Sequence, residues 1–237
     1  MNLVLYEGKF MKTIFFGNYW QSNSKEKEPI EWLVLKEEED KIYLLSKYIL
    51  ECLPYDVSDK GWKNSSIRTW LNEDFINNTF SADEQNQIVV SDIKTSSDFS
   101  WNGKLDSGAA VQDKVFLPSR AEMILFFGCD ADGDIVNEQK RIARPTNFAY
   151  EKGCCLWPIV FDENQSYWIS AGRYTAKLAL KAVAYEQETN EIRWATSWIL
   201  RSAKNANHVI QEDGEIGPAY SPEYNHLGIR PAMWIKK

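Results

Sequence analysis

Two arginines near the C-terminus stand where a cation is expensive: Arg201 in "WILRS" and Arg230 in "GIRPAMWI". A guanidinium among Trp, Ile and Leu must find carbonyls, carboxylates or a ligand, and its fork of donors suits all three. The two pieces therefore form either a structural clasp or the floor of a binding site. Both arginines lie on neighbouring strands if the two pieces pair. Arg230 is expected to be the structural member, because Pro231 pins the backbone behind it. Arg201 leads straight into polar chain and is expected to face a ligand.

The chain between them, "SAKNANHVIQEDGEIGPAYSPEYNHLG", is dense in Asn, Ser, Tyr and His and poor in aliphatic residues. Asn and Ser adapt their hydrogen bonding, and Tyr gives rigid amphipathic area, so loops of this kind suit recognition. An ordinary polar surface is the plainer reading of the same residues. The candidate ligand-binding residues are Trp198, Arg201, Asn205, Asn207, His208, Tyr220, Tyr224 and His226. His208 and His226 are the only histidines in the sequence. Either could act as an acid or base near neutral pH, although exposed loop histidines usually do no chemistry.

Other constellations are weaker. Asp130, Asp132 and Asp134 alternate in "CDADGDIVNE" like the start of a calcium loop, but glycine falls at the fourth position and the twelfth is Arg141, not Glu. A solvated acidic loop is the simpler account. The four cysteines, Cys52, Cys129, Cys154 and Cys155, have no CxxC spacing and no nearby histidine, so they read as free thiols in a reducing compartment. There is no G-x-S-x-G elbow, H-E-x-x-H or phosphate-cradling glycine loop. No catalytic residue, metal or other cofactor is expected.

Composition bounds the partners. The net charge of −7, with scattered Lys and Arg, disfavours nucleic acid. No run approaches the ~20 apolar residues of a membrane helix. The N-terminus has only a broken apolar run interrupted by Glu7, Lys9 and Lys12, so no signal peptide is read and a cytoplasmic location is expected. Met11 is an alternative start.

The elements that must position these residues follow from periodicity. "KTIFFGNYW", "IEWLVL" and "KIYLLS" alternate like antiparallel strands, the last two separated by the acidic turn "KEEED". In "WKNSSIRTWLNEDF" the positions Ile67, Trp70, Leu71 and Phe75 predict a helix with one buried face. The pairs Ser81/Glu84 and Ser119/Glu122 predict capping boxes that start two further helices, the second ending at Gly128. Residues 129–153 read as irregular. Strands resume after Tyr167, with a hairpin in "HVIQEDGEI" around Asp-Gly, and "IRPAMWI" closes the sheet. Arg68 and Asn64 are read as structural. The sum is one α+β domain over 1–237, core about 14–235.

"WKNSSIRTWLNEDF" with "FSADEQNQI", "DKVFLPSRAEM", "WILRS" and "GIRPAMWI" together resemble a bacterial family classed as a domain of unknown function, DUF6273. That resemblance implies a C-type lectin-like fold, in the branch of formylglycine-generating enzymes and retroelement variable proteins. It implies a ligand face in the C-terminal loops, here 203–227. The Glu-Pro-Asn or Gln-Pro-Asp triplets of calcium-dependent lectins are missing. The copper-binding cysteines of the oxidase branch are missing too, since none follows Cys155. The function expected is non-catalytic recognition of a protein or glycan. The alternative is an enzyme on a formylglycine-generating-enzyme-like scaffold with an unrecognised site.

Overall fold

The computed structural model describes residues 2–6, 9–56, 61–95, 110–128, 141–162, 167–170, 192–201, 208–218 and 223–237. Among them, mostly antiparallel sheets combine with a few short helices, an α+β arrangement.

The first sheet is built from β1 (Asn2–Tyr6), β2 (Lys9–Trp20), β3 (Lys27–Glu37) and β4 (Lys41–Ser46), paired in that order. The expected "KEEED" turn joins β3 to β4 in an antiparallel pair. In β4 every residue after Lys41 is buried, whereas β3 ends exposed. β4 lies between β3 and the last strand, β17 (Ala232–Lys236), so both its edges are paired and it sits in the interior of the sheet. Pairs such as Leu44 with Met233 and Tyr43 with Trp234 put the chain end in the middle of this sheet.

Beside β4 the chain leaves the sheet as β5 (Glu51–Cys52) and enters a helical segment. This begins with α1 (Ser66–Trp70), runs through a π-helical turn (Leu71–Phe75) and ends as α2 (Ile76–Thr79). Ser65 caps it, its hydroxyl accepting from the Arg68 amide. Ile67, Leu71 and Phe75 are fully buried, as the spacing requires. Trp70 is not; it stays half-exposed, with its ring 5.3 Å from that of Phe75. The wider π turn shifts the register that a regular 3.6-residue period assigns to Trp70.

The π turn also places Asn72, whose amide nitrogen donates to the Val115 carbonyl at 2.8 Å and whose oxygen accepts from the Lys114 and Val115 amides. One side chain thus stands in for a strand partner. One turn earlier, Asp113 accepts from Trp62 Nε1 at 2.9 Å and from Arg68 Nε at 2.7 Å. Arg68 also reaches the Lys63 and Gln112 carbonyls, so its structural reading holds.

Both predicted capping boxes form. Ser81 and Glu84 start α3 (Ala82–Gln87), and Ser119 and Glu122 start α4 (Arg120–Phe127) with Gly128 at its C-cap. Glu84 has a second task, accepting from the Gly17 amide in a bulge of β2. Gly17 sits at φ 68°, and a Cβ there would lie 2.5 Å from the Phe80 ring, so only glycine fits. After α3 come β6 (Ile88–Val89) and β7 (Ser91–Ile93); β8 (Val111–Asp113) and β9 (Val115–Phe116) precede α4. Both β6 and β9 pair with β17, while β7 pairs with β8.

One region departs from expectation. Within the stretch read as irregular, α5 (Asn147–Glu151) forms, capped by Thr146, with Phe148 and Ala149 buried. At five residues it is shorter than a periodicity window can register.

Beyond α5, β10 (Trp157–Asp162) pairs with β11 (Tyr167–Ser170) and β12 (Ile192–Ala195) in a small sheet. Another sheet has β13 (Trp198–Ile199) flanked by β14 (His208–Ile210) and β16 (Gly228–Ile229). Its edges are β15 (Ile216–Pro218) and β5. The hairpin expected in "HVIQEDGEI" is β14–β15.

The packing separates two neighbouring residues. Leu71→Ala empties fully buried volume and is expected to cost about 3 kcal/mol in urea unfolding, the usual range for such truncations. Trp70→Ala removes a half-exposed ring and is expected to cost clearly less. Equal losses would place both side chains in the core.

Candidate functional site

"WILRS" and "GIRPAMWI" do lie side by side, as β13 and β16, and their pairing is parallel, with Trp198 opposite Gly228. Gly228 has no side chain because Ile49 occupies the place: a Cβ would lie 2.5 Å from it.

Arg230 then turns the chain from β16 into β17, between two sheets. Its Nε donates to the Ser46 carbonyl at 2.7 Å, a second donor points at the Lys47 carbonyl, and its guanidinium lies 5.0 Å over the Trp198 ring. Ser46 closes the joint by donating its amide to the Pro231 carbonyl. Arg201 does similar work one layer away. It donates to the carbonyls of Lys94 (2.9 Å) and Leu117 (2.6 Å) and to Glu122 Oε2 (3.1 Å), with Phe116 beneath it. Glu122 is the capping-box residue of α4, so one carboxylate serves both the helix start and the arginine.

Both arginines are therefore buried clasps. The expected contrast, with Arg201 turned toward a ligand, is not seen, because the strand leads Arg201 against the Pro118–Ser119 backbone before the polar loop begins. Trp198 is likewise interior, its Nε1 donating to the Arg141 carbonyl at 3.0 Å. Arg141 is a third clasp that sequence reasoning missed. It is fully buried and donates to the carbonyls of Gly214 (3.0 Å) and Gly128 (2.6 Å). Its setting, "KRIARP", gave no apolar signal of the kind that marks the other two.

Of the other candidate residues, His208 opens β14, and Tyr224 and His226 lie shortly before β16. His208, Tyr224 and His226 are half-exposed, and the Tyr224 and His226 rings meet edge to face at 5.2 Å. Asn205, Asn207 and Tyr220 lie outside the described residues, as do Asp130, Asp132 and Asp134. His226 Nδ1 is 2.9 Å from the Gly153 carbonyl. A carbonyl only accepts, so Nδ1 carries the hydrogen and a neutral ring presents Nε2 as its acceptor.

Gly153 begins a segment that the sequence did not link to the histidine. The Cys155 amide donates to the His226 carbonyl. Below it, Cys154 Sγ approaches the Glu51 carbonyl at 3.8 Å, and Cys52 Sγ donates to the Asn225 carbonyl at 3.2 Å. Glu51 accepts from the Tyr19 hydroxyl at 2.9 Å and from the Cys52 amide at 3.0 Å. Burial raises the Glu51 carboxyl, although these two donors and Lys152 pull it back. Burial first, and then Glu51, push the Tyr19 hydroxyl well above its ordinary range. These groups hold one another and neighbouring backbone inside the core. Among the described residues, no three His, Cys, Asp or Glu side chains converge on a possible metal position.

The β14–β15 turn carries its own charge problem. Burial, with Glu212 and Glu215 adding repulsion, raises the Asp213 carboxyl to about 6, against the lowering effect of the Glu215 amide. The folded pKa lies above the unfolded value, so this group's stabilisation is full below about pH 4 and is lost as pH rises through about 6.

Two measurements check this reading. Arg230→Lys and Arg201→Lys keep the charge and lose the fork, so each is expected to cost about 2 kcal/mol in urea unfolding, with no ligand present. A neutral Arg201→Lys would return that residue to the ligand face. Asp213→Asn keeps an acceptor for the Glu215 amide and removes the titration. It is expected to melt above wild type at pH 7 and to converge with it near pH 4. A constant gap across that window would show that charge is not the cause.

No curated protein and no solved structure matches the sequence. Residues 39–237 match a family described as a domain of unknown function. They contain the capped π-turn helix, the buried Arg141, Arg201 and Arg230 and the half-exposed His208 and His226, and on that match the chain belongs to the DUF6273 family.

Proposed function

We infer that this protein is a non-catalytic recognition module of C-type lectin-like architecture, binding a protein or glycan through the loops of 203–227. The observation that carries the reading is the clasping of the chain on either side of 203–227. Arg141, Arg201 and Arg230 spend buried donors on backbone carbonyls, which fixes the strand ends from which the loops spring. A fixed base lowers the ordering cost of binding, because fewer groups must be immobilised when the ligand arrives.

In this reading Tyr224, His208 and His226, half-exposed at the margin, contribute to the ligand surface together with Asn205, Asn207 and Tyr220. Trp198 and Arg201 act from below, as support. The net charge of −7 fits a partner other than nucleic acid. No described helix is long and apolar enough to cross a membrane, and a cytoplasmic location remains part of the proposal.

The enzyme alternative draws on one observation, the buried Tyr19–Glu51–Cys154 group with its raised pKa values, since such perturbation often marks catalysis. That group faces inward and is mutually satisfied, which favours recognition.

The test is a glycan array and a pull-down with the full chain, beside a version whose 203–227 loops are replaced by Gly/Ser. Binding that disappears with the loops while the first sheet stays folded supports the reading. Retained binding would move the ligand face elsewhere, and turnover of a captured ligand by the native chain would favour the enzyme.

A further inference from the structure

Three segments distant in sequence bring thiols together beneath the loops. β5 supplies Cys52, the turn after α5 supplies Cys154 and Cys155, and the stretch before β16 supplies the Asn225 and His226 carbonyls that hold them. Cys52 and Cys154 are both buried and free, and Cys154 Sγ lies 3.8 Å from the carbonyl oxygen of Glu51, the residue that directly precedes Cys52. Their positions are fixed by backbone on both sides: Cys52 is paired with Gly228 in the sheet, and Cys154 is held by the Ala149 and Glu51 carbonyls. Cys155, next along the chain, is half-exposed.

We propose that Cys52 and Cys154 form a reversible disulfide, making this pair a redox modification site whose oxidant is a small-molecule disulfide of the glutathione class. The net step balances simply. The two thiols give up two protons and two electrons, a bond forms between the two Sγ atoms, and the oxidant's S–S bond breaks to release two small thiols. The surroundings explain why the reduced pair persists. Backbone carbonyls receive both sulfurs, Asn225 that of Cys52 and Glu51 that of Cys154. Contact with Cys52, and then burial, push the Cys154 thiol upward, which slows attack without weakening the finished bond.

Access comes through the segment that carries Cys154. Its backbone is held at this point by two long hydrogen bonds, Cys154 to Ala149 at 3.3 Å and Cys155 to His226 at 3.4 Å. The bond would join residues about 100 apart, a span at which a cross-link removes much unfolded-state freedom. It would tie β5, an edge of the sheet under the loops, to the turn whose Gly153 carbonyl orients His226. The proposal stands whatever the loops bind.

The experiment equilibrates the full chain, carrying Cys129→Ser, in mixtures of reduced and oxidised glutathione. Samples are quenched in acid, unfolded and alkylated, and peptides are mapped by mass. A linked peptide pair containing Cys52 and Cys154 is expected to rise with the oxidised fraction, to reverse on reduction and to survive Cys155→Ser. The linked chain should also melt several degrees above the reduced one, with the gap abolished in Cys52→Ala. Two results would overturn the proposal: full alkylation of Cys52 and Cys154 in the most oxidising mixture, or a bond that uses Cys155 in place of either. Mapping of the chain that retains both cysteines decides the matter even if Cys52→Ala does not fold.

Discussion

Buried guanidiniums bonded to backbone carbonyls are the constraint on which the C-terminal half depends. Described strands there are two to six residues long, so ladders alone leave many carbonyls at strand ends without partners. An interior carbonyl cut off from water must find a donor. Arg141, Arg201 and Arg230 supply several each from one rigid plane, and aromatic rings under two of them cover the cationic face. Lysine has no plane to stack and no fixed fork, so these positions need arginine in particular.

The N-terminal half meets the same demand by other means. Asn72 and Asp113 bind backbone and side chains across the gap between the helical segment and β8–β9. The π turn makes this possible by aiming Asn72 at Val115 while Leu71 and Phe75 still point into the core. Fixed in this way, β9 lies against β17, and β17 in turn lies against β4. The end of the chain is therefore central to the sheet that the beginning of the chain starts.

This layout bears on function through what it leaves at the surface. Tyr19, Glu51 and Cys154, whose ionisation is shifted upward, meet one another in the core, whereas Asp213, raised to about 6, lies in the β14–β15 turn. His208, Tyr224 and His226 are half-exposed.

Local chemistry was legible in the sequence. The two capping boxes, the Gly128 stop, the β3–β4 turn and the Asp-Gly hairpin each depend on residues within a few positions of one another, and all formed as read. The cost of a cation among apolar residues also marked Arg201 and Arg230 as needing partners, without saying which. Partners belong to tertiary structure. Arg201 finds Leu117 and Glu122, Arg230 finds Ser46, and Cys154 finds Cys52, each across separations over which a linear pattern holds no information. Arg141 escaped notice because polar neighbours hid its burial, and α5 because five residues are too few to show a period. Trp70 was misplaced for a subtler reason: a π turn changes the phase of a helix, and that phase was set by Asn72 reaching Val115, a contact that exists only once the chain has folded.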